Sequence, residues 1–210
     1  HDPSEVAGRV GLRLEQHGYR LEVLTVCEDT DRPVSHTPFP DPGRYDLVVA
    51  MGAPWSVYDS ATIGTWIGRE CTFVREVHER GVPYLGICFG AQVLSAALGG
   101  TVEPAPRPEL GWVSVDTDDP DVVATGPWFQ WHQDRFSVPA GAKEIARNDV
   151  GPQAFRMGRS LGVQFHPEVD AALLRSWLPA DAPLDPLFDQ LGVDPESVIE
   201  QAAGEAERAR

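Results

Sequence analysis

Hydrophobic and polar positions follow two different rhythms along this chain, and the change between them falls near its middle. Close to the start, Val6, Val10 and Leu14 recur every four residues, the spacing of one helix face, with Ser4 placed to cap that helix and Gly18 placed to end it. Residues 21–26 alternate as a strand would, and the prolines at 33, 38, 40 and 42 forbid a central strand across the following loop. A second strand is predicted over 46–51, ending in Gly52-Ala53-Pro54. A helix over about 65–80 follows, with Trp66, Phe73, Val74 and Val77 on or near one face. Residues 83–87 are wholly apolar, as in a parallel strand buried on both faces, and 91–98 read as a helix closed by Gly99-Gly100. The order helix, strand, strand, helix, strand, helix predicts an α/β fold with right-handed crossovers.

Beyond residue 100 the apolar runs shorten. Stretches at 112–115, 128–131, 143–146, 154–156 and 161–165, divided by Gly and Pro turns, predict added antiparallel strands. Helices are predicted over 170–178 and, after a Pro-rich stretch at 179–195, over 196–208, the last exposed and charged. The expectation is an open, mostly parallel sheet flanked by helices over residues 1–178. Residues 179–210 are expected to pack on that unit or extend from it.

Composition narrows the partners. With 210 residues, 42% of them hydrophobic and 23% charged, the chain can build one sizeable core. Its formal charge of −15 repels phosphate backbones and anionic membranes, so neither nucleic acid nor a membrane is an expected partner. The uncharged run at 81–102 holds five Gly and one Pro, and it reads as strand, turn and helix rather than a membrane span. Cys27, Cys71 and Cys88 are too few and too scattered for a disulfide framework or a paired metal motif. A reducing, cytoplasmic compartment is expected, with no metal and no cofactor. No export signal opens the chain, and a first residue of His1 reads as a processed, trimmed or partial start.

Gly86-Ile87-Cys88-Phe89-Gly90 stands where the buried strand meets the next helix. A sharp turn there needs glycines two residues to either side, pushes Cys88 out of the sheet, and aims the helix N–H groups at its sulfur. An isolated cysteine among apolar neighbours would be packing, but this context makes Cys88 the candidate nucleophile and leaves Cys27 and Cys71 inert. A thiolate needs an imidazole and an acid to orient it. His1, His17, His36 and His78 read as solvated side chains, which leaves His132 and His166. His166-Pro167-Glu168 follows an apolar strand, and in extended backbone residues two apart point the same way. Glu168 is thus placed to hold one ring nitrogen of His166 while the other faces Cys88. His132 reads more simply as loop structure than as a chemical participant.

Three ordered segments resemble the class I (triad) glutamine amidotransferase domain: Met51-Gly52-Ala53-Pro54, the run from Gly86 through Gln92, and Val163-Gln164-Phe165-His166-Pro167-Glu168. The chain is most similar to stand-alone members related to guanylate synthetase amidotransferase domains, which implies a flavodoxin-like sheet. The resemblance implies that Cys88 attacks the glutamine side-chain amide, that His166 and Glu168 complete the triad, and that ammonia is passed to an acceptor or a synthetase partner subunit. It further implies an oxyanion hole from Phe89 and the Gly52-Ala53 turn, and substrate contacts from Gln92 and from the backbone of the Trp131-His132-Gln133-Asp134 segment. Two departures stand out. Many relatives carry Gly-Gly-Pro where this chain has Gly-Ala-Pro, and Ala53 would resist a positive φ. Relatives also begin with a strand, whereas only His1-Asp2-Pro3 precedes the first helix here, so an exposed sheet edge or a core groove is expected.

Two other readings stay open. The same triad serves a γ-glutamyl hydrolase or peptidase that delivers ammonia to nothing, and a non-catalytic binding module is the third reading. A cysteine form of the α/β-hydrolase fold fits less well, because there the acid precedes the histidine.

Overall fold

Tyr84–Ile87 forms β2, the strand around which the sheet is organised in the computed structural model, which describes residues 1, 6–179 and 184–208. It pairs in parallel with β1 (Val48–Ala50) on one side and β8 (Ser160–Val163) on the other. Tyr84, Gly86 and Ile87 are buried, as a strand covered on both faces requires. Beyond β8 the sheet continues through antiparallel β7 (Pro152–Met157), β6 (Lys143–Arg147) and the short β4 (Asp116–Thr117), giving the order β1-β2-β8-β7-β6-β4. This is the expected α/β architecture with antiparallel strands added by the second half of the chain.

Helix α4 (Phe89–Ala97) packs on the parallel strands, and helix α3 (Ile67–Glu79) packs against α4. Trp66, Val74 and Val77 lie in one core cluster with Phe89, Val93, Leu94, Phe136 and Phe155, while Phe73 is half-buried at its border. The first helix, α1, spans Gly8–Gln16 and ends before Gly18, whose φ of 88° suits the stop. Its proposed cap, Ser4, lies outside the described residues. A four-residue helix, α2 (Ser60–Ile63), starts on an Asp59 side chain that accepts the Thr62 N–H.

Four expectations need correction. Residues 21–26 form no strand; Val23 is 82% exposed, because no strand among the described residues lies beside this stretch to complete a ladder. The strand expected at 112–115 is the end of a longer one, β3 (Val102–Val113), which pairs with β5 (Trp128–Phe136) as a separate antiparallel ribbon. Pro104, Pro106 and Pro108 are accommodated because the ladder breaks between Pro104 and Glu109. The Pro-rich stretch contains α6 (Pro186–Leu191), started by Asp185, whose side chain accepts the Leu187 N–H, and stopped by Gly192 in the left-handed region. Finally, α7 (Pro195–Arg208) is not simply a solvated helix. Its Val198, Ile199 and Ala202 are buried with Leu187, Phe188, Leu110 and Phe129, together with Leu173 and Leu174 of α5 (Ala171–Trp177). Each large apolar side chain so buried contributes about 1.5–3 kcal/mol. No helix among the described residues is long and apolar enough to cross a membrane.

Candidate active site

A single residue, Cys88, separates the end of β2 from the start of α4. Its φ of 50° and ψ of −108° make it the one non-glycine residue with positive φ among the described residues. Such a conformation costs on the order of 1–3 kcal/mol and persists only where neighbours enforce it. Here Cys88 N–H donates to the Val163 carbonyl at 2.8 Å, Gly90 N–H donates to the Met51 carbonyl at 3.1 Å, and the Tyr84 hydroxyl donates to the Gly90 carbonyl at 3.0 Å. The flanking glycines are required by close approach. A Cβ on Gly86 would sit 2.5 Å from the Gly90 carbonyl oxygen, and one on Gly90 would sit 2.2 Å from that of Ala50.

His166 is fixed by its N–H, which donates to the Phe129 carbonyl at 2.8 Å, and its Nδ1 lies 2.7 Å from Glu168 Oε1. Both side chains are buried. Glu168 is tied down in turn, since its backbone carbonyl accepts the Arg9 N–H at 2.9 Å, an approach that Gly8 alone permits: a Cβ there would be 2.3 Å from that oxygen. Burial pulls the His166 imidazolium toward its neutral form, but the Glu168 carboxylate and the Cys88 sulfur outweigh it and hold the ring's pKa well above the ordinary histidine range. His166 Nε2 makes no hydrogen bond of regular geometry among the described residues, yet it feels the sulfur electrostatically. With Nδ1 committed to Glu168, Nε2 is the nitrogen left for chemistry in the cleft.

That cleft, of about 1020 Å³, is lined by Cys88, His166, Ala53, Gln92, Trp131, His132 and Gln133 among others, so most of the residues singled out in the sequence share one wall or another. Gly52 and Phe89 are buried and do not line it, although each adjoins a residue that does, Ala53 and Cys88. Ala53 does not adopt a positive φ, so Gly-Ala-Pro carries no strain of the kind the sequence suggested. Trp131 stands at the rim against Trp177 and Phe188, and its Nε1 donates to Asp185 at 3.2 Å. His132 belongs to β5 rather than to a loop. Its Nδ1 pairs with the Asp134 carbonyl at 2.9 Å and its Nε2 approaches the buried Glu109 carboxylate to 3.1 Å, off the line of a regular hydrogen bond.

Two neighbours of the site lie within the motifs, but their side chains have no role assigned from the sequence. Gln164 is fully buried and donates its Nε2–H to the Cys88 sulfur at 3.6 Å. Asp134 is buried in the cleft wall, where Ser56 and Tyr58 hydroxyls donate to its two oxygens at 2.5 and 2.8 Å. Strand alternation from His132 was the available signal for Asp134, because it places residues 132 and 134 on the buried side and Gln133 on the exposed one. The other two cysteines lack this setting. Burial, reinforced by nearby Glu70, pushes the Cys71 thiol up to about 11, and Cys27 is buried with its thiol donating to the Asp29 carbonyl. His1, expected to be solvated, is buried as well, bonded through both ring nitrogens. No group of three or more His, Cys, Asp or Glu among the described residues is arranged to hold a metal ion.

The family model described as glutamine amidotransferase class-I matches residues 10–178. The chain belongs to that family. Among sequence relatives of this amidotransferase, the GMP synthase [glutamine-hydrolyzing] of Thermomicrobium roseum is 37% identical over 177 residues, covering 75% of this chain and 30% of that protein. A GMP synthase [glutamine-hydrolyzing] subunit from Ignicoccus hospitalis is 35% identical over 150 residues, covering 66% of this chain and 74% of its own length. Against three of the GMP synthases it matches, the chain spans only 23% to 30% of their length. A solved glutamine amidotransferase from Thermotoga maritima superposes with a TM-score of 0.81 at 24% identity, over 99% of this chain and 89% of that one, which establishes the shared fold.

Proposed function

We propose that this amidotransferase hydrolyses the side-chain amide of glutamine through a γ-glutamyl thioester on Cys88. The observation that carries the reading is the 2.7 Å contact of His166 Nδ1 with Glu168, which leaves Nε2 for a cleft whose nucleophile sits on a strained elbow. Cys88 Sγ attacks the amide carbon, and the carbonyl electrons move onto oxygen, where the N–H groups of Phe89 and Ala53 receive them. As the oxygen lone pair returns, the C–N bond breaks and the nitrogen takes the proton of His166 Nε2, leaving as ammonia. Neutral His166 then accepts a proton from water as the hydroxyl adds to the thioester carbon, and collapse of that adduct releases glutamate and regenerates the thiolate with imidazolium. Gln92 and the 131–133 segment line the substrate end. Free thiols suit a reducing compartment.

The names of the relatives, GMP synthase in one case and one of its subunits in the other, support an ammonia-consuming synthetase as the partner. The cleft also favours a second reading. At about 1020 Å³, running from Cys88 past Trp131 and Trp177 to Gln190, it has room for an amine substituent larger than ammonia, as a γ-glutamyl hydrolase would need. Ammonia release from glutamine and amine release from γ-glutamyl dipeptides, measured side by side with wild type and Cys88→Ala, separate the two. Glutamine turnover that is lost in Cys88→Ala and exceeds dipeptide turnover is the expected result, and the reverse preference would favour the hydrolase.

A further inference from the structure

His1 is 8% exposed, yet nothing in the reaction above uses it. Its Nδ1 lies 2.8 Å from the Gly52 carbonyl oxygen and its Nε2 lies 2.6 Å from Glu70 Oε1. The Gly52 oxygen can only accept, so Nδ1 carries a proton and donates it, and one further proton lies on the short line between Nε2 and Glu70. Glu70 is 3% exposed on α3, so its carboxylate is held out of water. The ring itself lies between Trp66, at 6.2 Å and inclined by 28°, and Phe89, at 4.8 Å and edge-on. His1's carbonyl accepts the N–H groups of Val26 and Cys27. Both ring nitrogens and both ring faces of this imidazole thus have neighbours that fix its orientation.

The consequence lies on the far side of the peptide. The Gly52–Ala53 bond is trans, so its carbonyl and its N–H point in opposite directions. With the Gly52 oxygen anchored on His1, the Ala53 N–H is directed away from the core, and Ala53 lines the cleft that holds Cys88. The preceding carbonyl, of Met51, is anchored on Gly90 N–H in the first turn of α4. Two successive carbonyls are thus tied back, one to the elbow helix and one to a buried ring that also touches Phe89. We propose that His1 and Glu70 are positioning residues that hold the Ala53 N–H toward the oxyanion forming over Cys88. This inference rests on the glutaminase reading and adds to it a pair outside the triad.

Losing one preorganised donor from an oxyanion site costs on the order of 10²–10³ in rate, and releasing one from its anchor costs less. The experiment measures kcat and KM for glutamine, affinity for the γ-aldehyde analogue of glutamine, and the rate of Cys88 alkylation by iodoacetamide. The aldehyde adds to Sγ with its carbonyl electrons moving onto oxygen, so its affinity reports the oxyanion site directly. In His1→Phe the expected result is a tenfold to hundredfold loss of kcat, a matching loss of aldehyde affinity, and KM and alkylation rate within about twofold of wild type. His1→Asn, whose amide reproduces the Nδ1 donor, is expected to recover most of that loss. Should His1→Phe fail to fold, Glu70→Gln carries the test, with about a fivefold loss of aldehyde affinity expected and alkylation unchanged. Wild-type aldehyde affinity in His1→Phe, or losses in aldehyde affinity and alkylation that move together in every variant, would overturn the positioning role. A wild-type protein that forms no aldehyde adduct at Cys88 would instead overturn the glutaminase reading on which the role depends.

Discussion

Gln164 donates its side-chain N–H to the Cys88 sulfur at 3.6 Å, and its carbonyl oxygen accepts the Gln92 amide at 3.3 Å. Both glutamines are buried, so on its inner side the sulfur meets an oriented amide dipole, while Cys88 still lines the cleft. A donor to a charged acceptor is worth about 1.5–3 kcal/mol, less for sulfur. Gln164→Leu should therefore slow Cys88 alkylation by about tenfold, read as the second-order rate with iodoacetamide. Unchanged alkylation would remove Gln164 from the account.

On the proposed reaction, Glu168 sets the alkaline limb. Its carboxylate and the Cys88 sulfur together outweigh burial and hold the His166 pKa above the ordinary range, so the imidazolium, which in that reaction protonates departing ammonia, survives to higher pH than a free histidine. Activity should fall as pH rises through that raised value. In Glu168→Gln the raising charge is gone while the ring keeps a hydrogen-bond partner, so the alkaline limb should shift to lower pH and kcat should drop by more than tenfold. A pH–kcat profile of the two proteins checks this, and an alkaline limb that stays in place would contradict it.

The elbow should tolerate no side chain behind it. A Cβ on Gly90 meets the Ala50 carbonyl oxygen at 2.2 Å, a backbone atom that cannot yield as a flexible side chain would. Overpacking of this kind costs about 1–3 kcal/mol or more. Gly90→Ala should lower the denaturation midpoint and abolish glutamine turnover, whereas Gly68→Ala, where nothing lies within 4 Å, should leave both intact.

Asp134 is the buried carboxylate of the cleft wall, held by Ser56 and Tyr58, with Asp31 and Asp185 also lining the cleft. A glutamine substrate brings an ammonium group that such a carboxylate attracts. Asp134→Asn should raise the KM for glutamine about tenfold or more with a smaller change in kcat, and steady-state kinetics would show the opposite split if Asp134 acted on the chemistry.

What was legible in the sequence is what the backbone demands locally. Gly86, Cys88 and Gly90 announce a turn because few other residues fit it, and His166-x-Glu168 announces a pair because extended backbone repeats every second residue. Contacts made across long stretches of chain were harder to read. Pro104, Pro106 and Pro108 hide β3, since only its partner β5 reveals where the ladder breaks. The prolines of 179–195 similarly obscure α6, although Asp185-Pro186 and Gly192 carry its start and stop. Residues 21–26 have a strand's alternation with no ladder to join, and the buried face of α7 depends on Leu187, Phe188 and Phe129 being close in space. His1 looked solvated because Glu70 and Gly52, which bury it, are 69 and 51 residues away.

The central claim is that Cys88 is a nucleophile in an assembled glutamine pocket, and peptide mass spectrometry after incubation with a γ-diazoketone analogue of glutamine tests it most directly. One adduct on Cys88, prevented by excess glutamine and absent in Cys88→Ala, is the predicted result, with Cys71 silent because burial holds its thiol up to about 11. Equal labelling of Cys27, Cys71 and Cys88, or an unlabelled Cys88, would contradict it.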